Sequence, residues 1–156
     1  MYKIRKAGYK DIGTLVKFGK QLNSFEYIFA QDFHKLDTNS NKKFVEYFRR
    51  HMRKRSSMIL VAEYNGKPIG YLAAKIQKRS SIYKLNRVVE LLDIFVCTEH
   101  RKSGVGTRMI NFAIRQYSRR GFSHVVLFVL SKNKNALRFY RSLGFREFVK
   151  EMYRKA

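Results

Sequence analysis

Apolar positions change their spacing along this chain, and each spacing predicts a kind of element. In two segments of the first third they recur every three to four residues, which is the period of an amphipathic helix. Two later β-type runs are joined by Asn65-Gly66, a dipeptide typical of a two-residue hairpin turn. The pattern predicts strands over 2–5, 58–64 and 69–76, and helices over 10–24 and 42–54.

The second half of the chain alternates between apolar strands and amphipathic helices. Gly121 and Gly144 follow the last periodic residues of two helices, as glycine often does at the C′ position. The predicted strands cover 88–97, 124–130 and 145–153, and the predicted helices cover 105–119 and 133–143. The order β-α-α-β-β-β-α-β-α-β predicts a mixed sheet in an α/β (α+β) fold. One proline and no linker-like stretch predict one domain over 1–156.

The net charge of the chain says more about its partners than its length does. With 156 residues, 45% of them hydrophobic, the chain can bury one core, which excludes a disordered polymer. Its 34 Lys and Arg against 11 Asp and Glu give a net charge of +23, which predicts an anionic partner. One cysteine and scattered histidines exclude a disulfide framework and predict no metal site. No signal-peptide or membrane-span pattern is present, so we expect a cytoplasmic protein without a membrane partner.

A basic, glycine-containing loop separates the strand over 88–97 from the next helix. Gly104 and Gly106 would let a phosphate approach the unpaired backbone N–H groups of the helix N-terminus. Arg101 and Lys102 add positive charge beside them. The alternative is a tight strand-to-helix turn that binds no ligand.

A second motif lies at the start of the last predicted helix. Helical spacing places Asn133, Ala136 and Tyr140 on nearly one face. The small Ala136 leaves room for a thin ligand, and the Tyr140 hydroxyl could act as a general acid. The alternative is that Phe139 and Tyr140 are core aromatics.

Two carboxylates interrupt the otherwise apolar strand over 88–97. Glu90 and Asp93 would be costly to bury unless they are paired or used, and burial raises the pKa of a carboxyl group. That environment is typical of a general base. An ion pair with one of the many arginines is the alternative for either residue.

Together these segments resemble the GNAT superfamily of N-acetyltransferases. The joint pattern is Arg101-x-x-Gly104-x-Gly106, followed about thirty residues later by Asn133-x-x-Ala136-x-x-x-Tyr140-x-x-x-Gly144-Phe145. The order of elements before it also matches, so the resemblance extends over essentially the whole chain. It implies a single GNAT-like domain with a mixed, mostly antiparallel central sheet of six to seven strands and about four helices.

The resemblance implies acetyl-CoA as cosubstrate. In the family the glycine loop binds the pyrophosphate through backbone amides, the preceding strand pairs with the pantetheine arm, and a bulge opens the cleft. A backbone N–H near Val96 would polarise the thioester carbonyl. The residues implied in cofactor binding are Ile94, Phe95, Val96, Arg101, Lys102, Ser103, Gly104, Val105, Gly106, Thr107, Asn133, Ala136 and Phe139.

The resemblance also implies direct attack by a primary amine in a ternary complex. Tyr140 matches the family's usual general acid, which protonates the departing CoA thiolate. A base is needed because a lysine-like amine has a pKa of about 10.4 and only the free amine attacks. Glu90, acting through a water, is favoured over Asp93 as that base. Asp32 and Asp37 are predicted to bind a cationic acceptor, with solvated loop acids as the alternative.

A second class of function stays open, because binding a cofactor's phosphates does not require the full charge. The helix over 42–54 is basic on one face and lies outside the cofactor motif. The alternative is a non-catalytic module of the same fold that binds RNA or the ribosome through its basic surface. The intact glycine loop and Tyr140 favour the enzyme. The sequence is also compatible with a homodimer.

Overall fold

A computed structural model describes residues 1–33 and 41–154 of the chain. These residues form one five-stranded sheet with helices on both faces. The strands are β1 (Tyr2–Lys6), β2 (Ser57–Tyr64), β3 (Lys67–Lys78), β4 (Arg87–Val96) and β5 (Val125–Leu127). The helices are α1 (Ile12–Tyr27), α2 (Asn41–Arg53), α3 (Val105–Ser118) and α4 (Lys134–Ser142).

The sheet order follows the chain order, β1-β2-β3-β4-β5. The first three pairings are antiparallel, and β4 with β5 is parallel, as the strand-helix-strand connection through α3 requires. Asn65 and Gly66 both have positive φ, at 48° and 79°, in the predicted hairpin turn between β2 and β3. Such a turn matches the twist of the flanking strands.

Each face of the sheet packs against its own helices. On one face α3 and α4 cover an aliphatic core, whose fully buried members include Leu60, Leu72, Val89, Met109 and Ile110. On the other face α1 and α2 cover a more aromatic core, which includes Leu15, Phe18, Phe48, Tyr71 and Phe95. We call these the α3 face and the α1/α2 face.

A bulge in β4 determines where the sheet opens. Ala73 lies opposite Asp93 and Ala74 opposite Leu91, so Leu92 is an extra residue in β4. Bulges of this kind bend the strand and locally disrupt pairing. Beyond the bulge β5 no longer accompanies β4, because their pairing is confined to Val89–Leu91. The second half of β4 therefore lines a cleft on its β5 side.

The α/β class, the element order through α4 and the mixed, mostly antiparallel sheet are confirmed. The prediction of six to seven strands is wrong, because the described residues form five. The predicted last strand over 145–153 contains no strand, and β5 is shorter than the predicted 124–130. A strand needs a neighbouring partner and a covered face. Phe148 and Met152 are 76% and 89% exposed, so these apolar side chains of the segment are not part of the core.

Candidate active site

The basic loop brings a left-handed glycine to the start of α3. Gly104 is the N-cap residue with φ +81°, and no side chain caps the helix at this position. The first backbone N–H groups of an α-helix have no partner within the helix, and the helix dipole adds a partial positive charge. In this chain these are the N–H groups of Val105, Gly106 and Thr107, beside exposed Arg101 and Lys102. The arrangement can hold a phosphate group.

Hydrogen bonds fix the loop between β4 and α3. The Arg101 side chain donates from Nε to the backbone oxygen of Val96 over 3.0 Å. The Ser103 hydroxyl donates to the backbone oxygen of His100 over 2.6 Å. Ser103 and Arg101 therefore hold the loop conformation, while the side chain of Val105 is buried in the core and leaves only its backbone to a ligand.

The second half of β4 presents alternate backbone groups to the cleft. The Cys97 N–H donates to the backbone oxygen of Ile69 in β3. The backbone N–H and C=O of the neighbouring Val96 therefore point away from β3, towards the cleft. By the same alternation Phe95 pairs with β3, and its ring is buried against Phe18 with centroids 5.0 Å apart. Ile94 and Val96 are the residues of this strand that face the cleft with their backbone groups.

The predicted α4 motif packs against the glycine loop. Asn133 is the N-cap of α4, and its Oδ1 accepts a hydrogen bond from the Ala136 N–H over 3.0 Å. A Cβ on Gly106 would lie 3.2 Å from Cζ of Phe139, so this glycine allows close approach between α3 and α4. Both glycines of the loop thus have a structural requirement: one is conformational and the other is steric.

Asp93 lies at the centre of a cluster of tyrosines and acids. The Tyr47 hydroxyl of α2 donates to Asp93 Oδ2 over 2.7 Å, and the Tyr71 hydroxyl of β3 faces the same carboxylate. Burial raises the pKa of Asp93, and the two tyrosines oppose that rise by hydrogen bonding to the ionised form. Asp93 is therefore a carboxylate that accepts a hydrogen bond from Tyr47 and is stabilised by Tyr71, in the environment of a general base.

Glu26 of α1 belongs to the same cluster, and the sequence motifs did not single it out. Burial, followed by the negative charge of Asp93, raises the pKa of Glu26 to about 7. A carboxyl group with that pKa exchanges a proton near neutral pH. No local motif marks Glu26, Tyr47 or Tyr71, since only the fold brings α1, α2 and β3 to Asp93.

Tyr140 of α4 packs against the α3-face core, and its hydroxyl lies within the electrostatic influence of this cluster. Burial raises the pKa of its hydroxyl to about 12, and the charges of Glu26 and Asp93 add to the rise. Its ring packs edge-on against Phe145 with centroids 5.8 Å apart. The predicted acid and one predicted base, Asp93, are thus electrostatically coupled in the structure.

Glu90 lies on the same face as Asp93 but has a different partner. It is 7% exposed and sits opposite Lys75, whose Nζ lies 3.2 Å from Glu90 Oε2. Oε2 has no hydrogen-bond partner, so the contact is an ion pair rather than a hydrogen bond. The alternative weighed from the sequence, an ion pair with a cation, describes its surroundings, although that cation is a lysine.

The predicted acceptor residues are placed only in part. Asp32 is exposed and accepts a hydrogen bond from the Tyr153 hydroxyl over 3.1 Å, while Asp37 lies outside the described residues. Within residues 1–33 and 41–154, no group of three or more His, Cys, Asp or Glu could hold a metal ion. Over the same ranges, no helix combines the length and the apolar character needed to cross a bilayer.

Comparisons with known proteins agree with this arrangement. Residues 22–145 match the acetyltransferase (GNAT) family. An uncharacterized N-acetyltransferase of Methanocaldococcus jannaschii is 41% identical over 101 residues, which cover 65% of this chain and 44% of that protein. The chain spans less than half the length of the first curated relatives it matches.

Solved structures share the fold over nearly the full chain. A tetramutant of the BH1408 protein from Bacillus halodurans superposes with a TM-score of 0.88 at 20% identity, covering 99% of each chain. The aminoglycoside N-acetyltransferase AAC(6')-Iy, solved in complex with CoA, superposes with a TM-score of 0.82 at 18% identity. That alignment covers 100% of this chain and 95% of the enzyme.

Proposed function

Because the chain belongs to the GNAT family of acetyltransferases, we propose that it transfers the acetyl group of acetyl-CoA to a primary amine by direct attack in a ternary complex. The observation that carries the proposal is the Asp93 carboxylate at the opened end of β4, which accepts a hydrogen bond from Tyr47 and acts electrostatically on Glu26 and Tyr140. In this proposal a carboxyl group accepts a proton and the Tyr140 phenol donates one beside the strand expected to hold the thioester.

Acetyl-CoA fits the residues that line this side of the molecule. The pyrophosphate would lie on the N–H groups at the start of α3, with Arg101 and Lys102 beside them. The pantetheine arm would pair with the backbone of Ile94 and Val96, which β5 leaves unpaired on the cleft side. The Val96 N–H is the donor proposed for the thioester oxygen, since its carbonyl already accepts from Arg101.

Asp93, assisted by Glu26, is the base that the geometry supports best. The incoming ammonium group loses a proton to this pair, and the free amine nitrogen then forms a bond to the thioester carbonyl carbon. Burial raises the pKa values of both carboxyl groups, which makes each a stronger base than an exposed carboxylate. Glu90 remains the competing prediction, and its ion pair with Lys75 gives it less freedom to exchange protons.

Tyr140 is proposed as the acid that completes the transfer. As the carbon–sulfur bond breaks, the phenol gives its proton to the departing thiolate, leaving an amide and the free thiol of CoA. The negative charges of Glu26 and Asp93 hold the pKa of Tyr140 up. When the carboxylates take the amine proton, this repulsion falls and the phenol becomes a stronger acid. Proton uptake from the amine therefore prepares proton release to the thiolate.

The acceptor proposed from this chemistry is a cationic amine. The acidic cluster attracts an ammonium group in a chain that is otherwise strongly basic. The CoA-bound structural neighbour is an aminoglycoside acetyltransferase, so polyamines of that kind belong in a substrate screen beside peptide N-termini and lysine side chains. Asp32 and Asp37 stay predictions for recognition of the acceptor.

Calorimetry and kinetics together test the proposal. Wild-type protein should bind acetyl-CoA and acetylate at least one amine in the screen. Tyr140→Phe should keep acetyl-CoA binding and lose roughly 10²-fold or more in kcat when chemistry is rate-limiting. Folded protein without acetyl-CoA binding would overturn the proposal and favour the non-catalytic alternative. An unchanged kcat in Tyr140→Phe would remove Tyr140 from the mechanism.

A further inference from the structure

A second basic region lies away from the glycine loop. We propose that the chain binds the phosphate backbone of nucleic acid at the C-terminal ends of α2 and α3. The surface, called here the basic end surface, consists of Arg49, Arg50, Arg53, Lys54, Arg55, Arg119 and Arg120, all of them exposed. This binding would be additional to catalysis, and it does not depend on the proposed acetyl transfer.

Specific contacts assemble this surface from separate segments. Arg120 Nη2, just after α3, donates to the backbone oxygen of Arg55 over 3.1 Å, which joins the end of α3 to the α2–β2 turn. The Arg120 guanidinium also lies over the Tyr117 ring, 5.3 Å from its centroid. Four cations at and just after the C-terminal end of α2 line one hollow together with Glu46: Arg49, Arg50, Arg53 and Lys54.

The charge of the basic end surface exceeds that of its acidic neighbours, since Glu46 is the one carboxylate of the described residues that lines the hollow it shares with four of the cations. Among residues 1–33 and 41–154, none of the seven cations forms an ion pair with a carboxylate. Cations at a helix C-terminus gain about 0.3–1 kcal/mol each from the helix dipole, but only within the last turn. Crowded like charges repel, which destabilises the compact state. Helix capping therefore accounts for part of the cluster, and an anionic partner accounts for the rest.

The cofactor's phosphates cannot be that partner. The glycine loop lies at the N-terminus of α3, and the basic end surface lies at its C-terminus. A helix rises 1.5 Å per residue, so the 14 residues of α3 separate the two regions by roughly 20 Å. An anion bound at the far end would therefore be a different one.

The composition of the surface favours a nucleic-acid backbone over a protein or a membrane. Protein interfaces have an apolar or aromatic centre, and surface-bound membrane helices insert apolar side chains. None of the large, exposed hydrophobic residues lies in α2 or α3 within the described chain. Six of the seven cations are arginines, whose planar guanidinium matches the two oxygens of a phosphate. Binding through phosphates alone is independent of sequence and falls with salt.

Two matched triple variants test the location of the site. R49Q/R53Q/K54Q removes three charges from the basic end surface, and K10Q/K67Q/K84Q removes three exposed charges elsewhere. Fluorescence anisotropy would follow binding to a labelled RNA stem-loop and to a DNA duplex of equal charge, from about 50 to 200 mM KCl. Melting temperatures and acetyl-CoA binding of both variants report on the fold.

The proposal makes a quantitative statement about salt dependence. The log–log slope should be clearly negative for wild type and smaller in magnitude by about 2–3 units for R49Q/R53Q/K54Q. It should change by less than about one unit for the control triple. Tighter binding of RNA or of DNA identifies the source of the backbone, and either supports the site.

Three results would overturn the proposal: a wild-type slope near zero, equal losses in both triples, or binding to phosphatidylserine–phosphatidylcholine vesicles as strong as to RNA. If R49Q/R53Q/K54Q does not fold, the two single variants R53Q and K67Q repeat the comparison. The smaller slope must then appear in R53Q alone.

Discussion

The two faces of the sheet bury different kinds of side chain. The α3 face is aliphatic, and its one fully buried polar-tipped residue in the described chain, Tyr117, donates towards backbone oxygens of Ala74 and Ser56 at 3.3 and 3.4 Å. The α1/α2 face buries Glu90, Tyr71 and His51, and the Tyr47 hydroxyl meets the Asp93 carboxylate there. Polar groups cost free energy when buried, so their concentration on one face indicates that this face serves chemistry.

His51 shows how the α1/α2 face controls charge. Burial, and then the nearby cations Arg50, Lys75 and Lys54, lower the pKa of His51 to about 4. The ring is neutral at physiological pH and shares a 3.1 Å hydrogen bond with the Ser57 hydroxyl. On the same face burial raises the pKa values of Asp93 and Glu26. One environment therefore shifts bases and acids in opposite directions.

Replacing Asp93 should have the largest effect. Asp93→Asn keeps an oxygen to accept from Tyr47 but removes the base, so kcat/KM should fall by about 10²- to 10⁴-fold. Glu90→Gln is the matched carboxylate on the same strand face, and we expect a loss of less than about tenfold with the acidic limb of the pH–rate profile retained. Collapse of activity and loss of that limb in Glu90→Gln, with Asp93→Asn active, would transfer the role of base to Glu90.

A core truncation on the α3 face should change stability and leave chemistry intact. Ile110 is 0% exposed, so Ile110→Ala should lower the free energy of unfolding by about 2–5 kcal/mol. Ile110 is not among the proposed catalytic or cofactor-binding residues, and Tyr140 packs against this core only as a partly buried residue, so kcat measured well below the melting temperature should stay within about twofold. Denaturant unfolding gives the first quantity. A large fall in kcat with the fold retained would contradict the separation of the two faces.

Removing one phenol should shift the pH dependence of the reaction. The Tyr47 hydroxyl stabilises ionised Asp93 and so lowers its pKa. Tyr47→Phe should raise that pKa and move the acidic limb of the pH–rate profile to higher pH. Activity should therefore fall most at low pH and recover towards wild type as pH rises. An unshifted limb would exclude Asp93 as the titrating base.

The smallest effect concerns the stability contributed by Glu26. Its folded pKa of about 7 lies above its ordinary 4.5, so the folded state holds more protons between these values. Stability should consequently fall as pH rises through this window. Glu26→Gln should reduce the decline, as measured by denaturant midpoints between about pH 5 and 8. A decline as steep in the variant as in wild type would show that other groups cause it.

Local signals predicted the parts of this protein that depend on neighbours in sequence. Asn65-Gly66 fixed the hairpin, and the glycines of the β4–α3 loop were located because turn geometry needs them. Glu26 was missed because its raised pKa arises first from burial and then from the charge of Asp93, and both depend on how distant segments pack. The segment over 145–153 has β-type composition, but strand formation depends on a partner that composition does not specify.

The choice between Glu90 and Asp93 was also beyond the sequence. In a regular strand residues three apart point to opposite faces. The extra residue Leu92 restores both acids to the α1/α2 face, since they lie opposite Lys75 and Ala73 on β3. A bulge has no reliable local signature, so which acid meets the tyrosines could be learned only from the register.

The extra residue Leu92 therefore determines towards which face of the sheet every later side chain of β4 points. Deleting Leu92 would leave the composition almost unchanged. It would reverse the sheet face towards which the side chains of residues 93–96 point. Asp93 would turn towards the aliphatic helices and Phe95 out of its aromatic core, while Glu90 stayed in place. The number of residues between Glu90 and Phe95 is thus constrained as well as the identity of Asp93. In descendants of this sequence, substitutions within β4 should outnumber insertions and deletions.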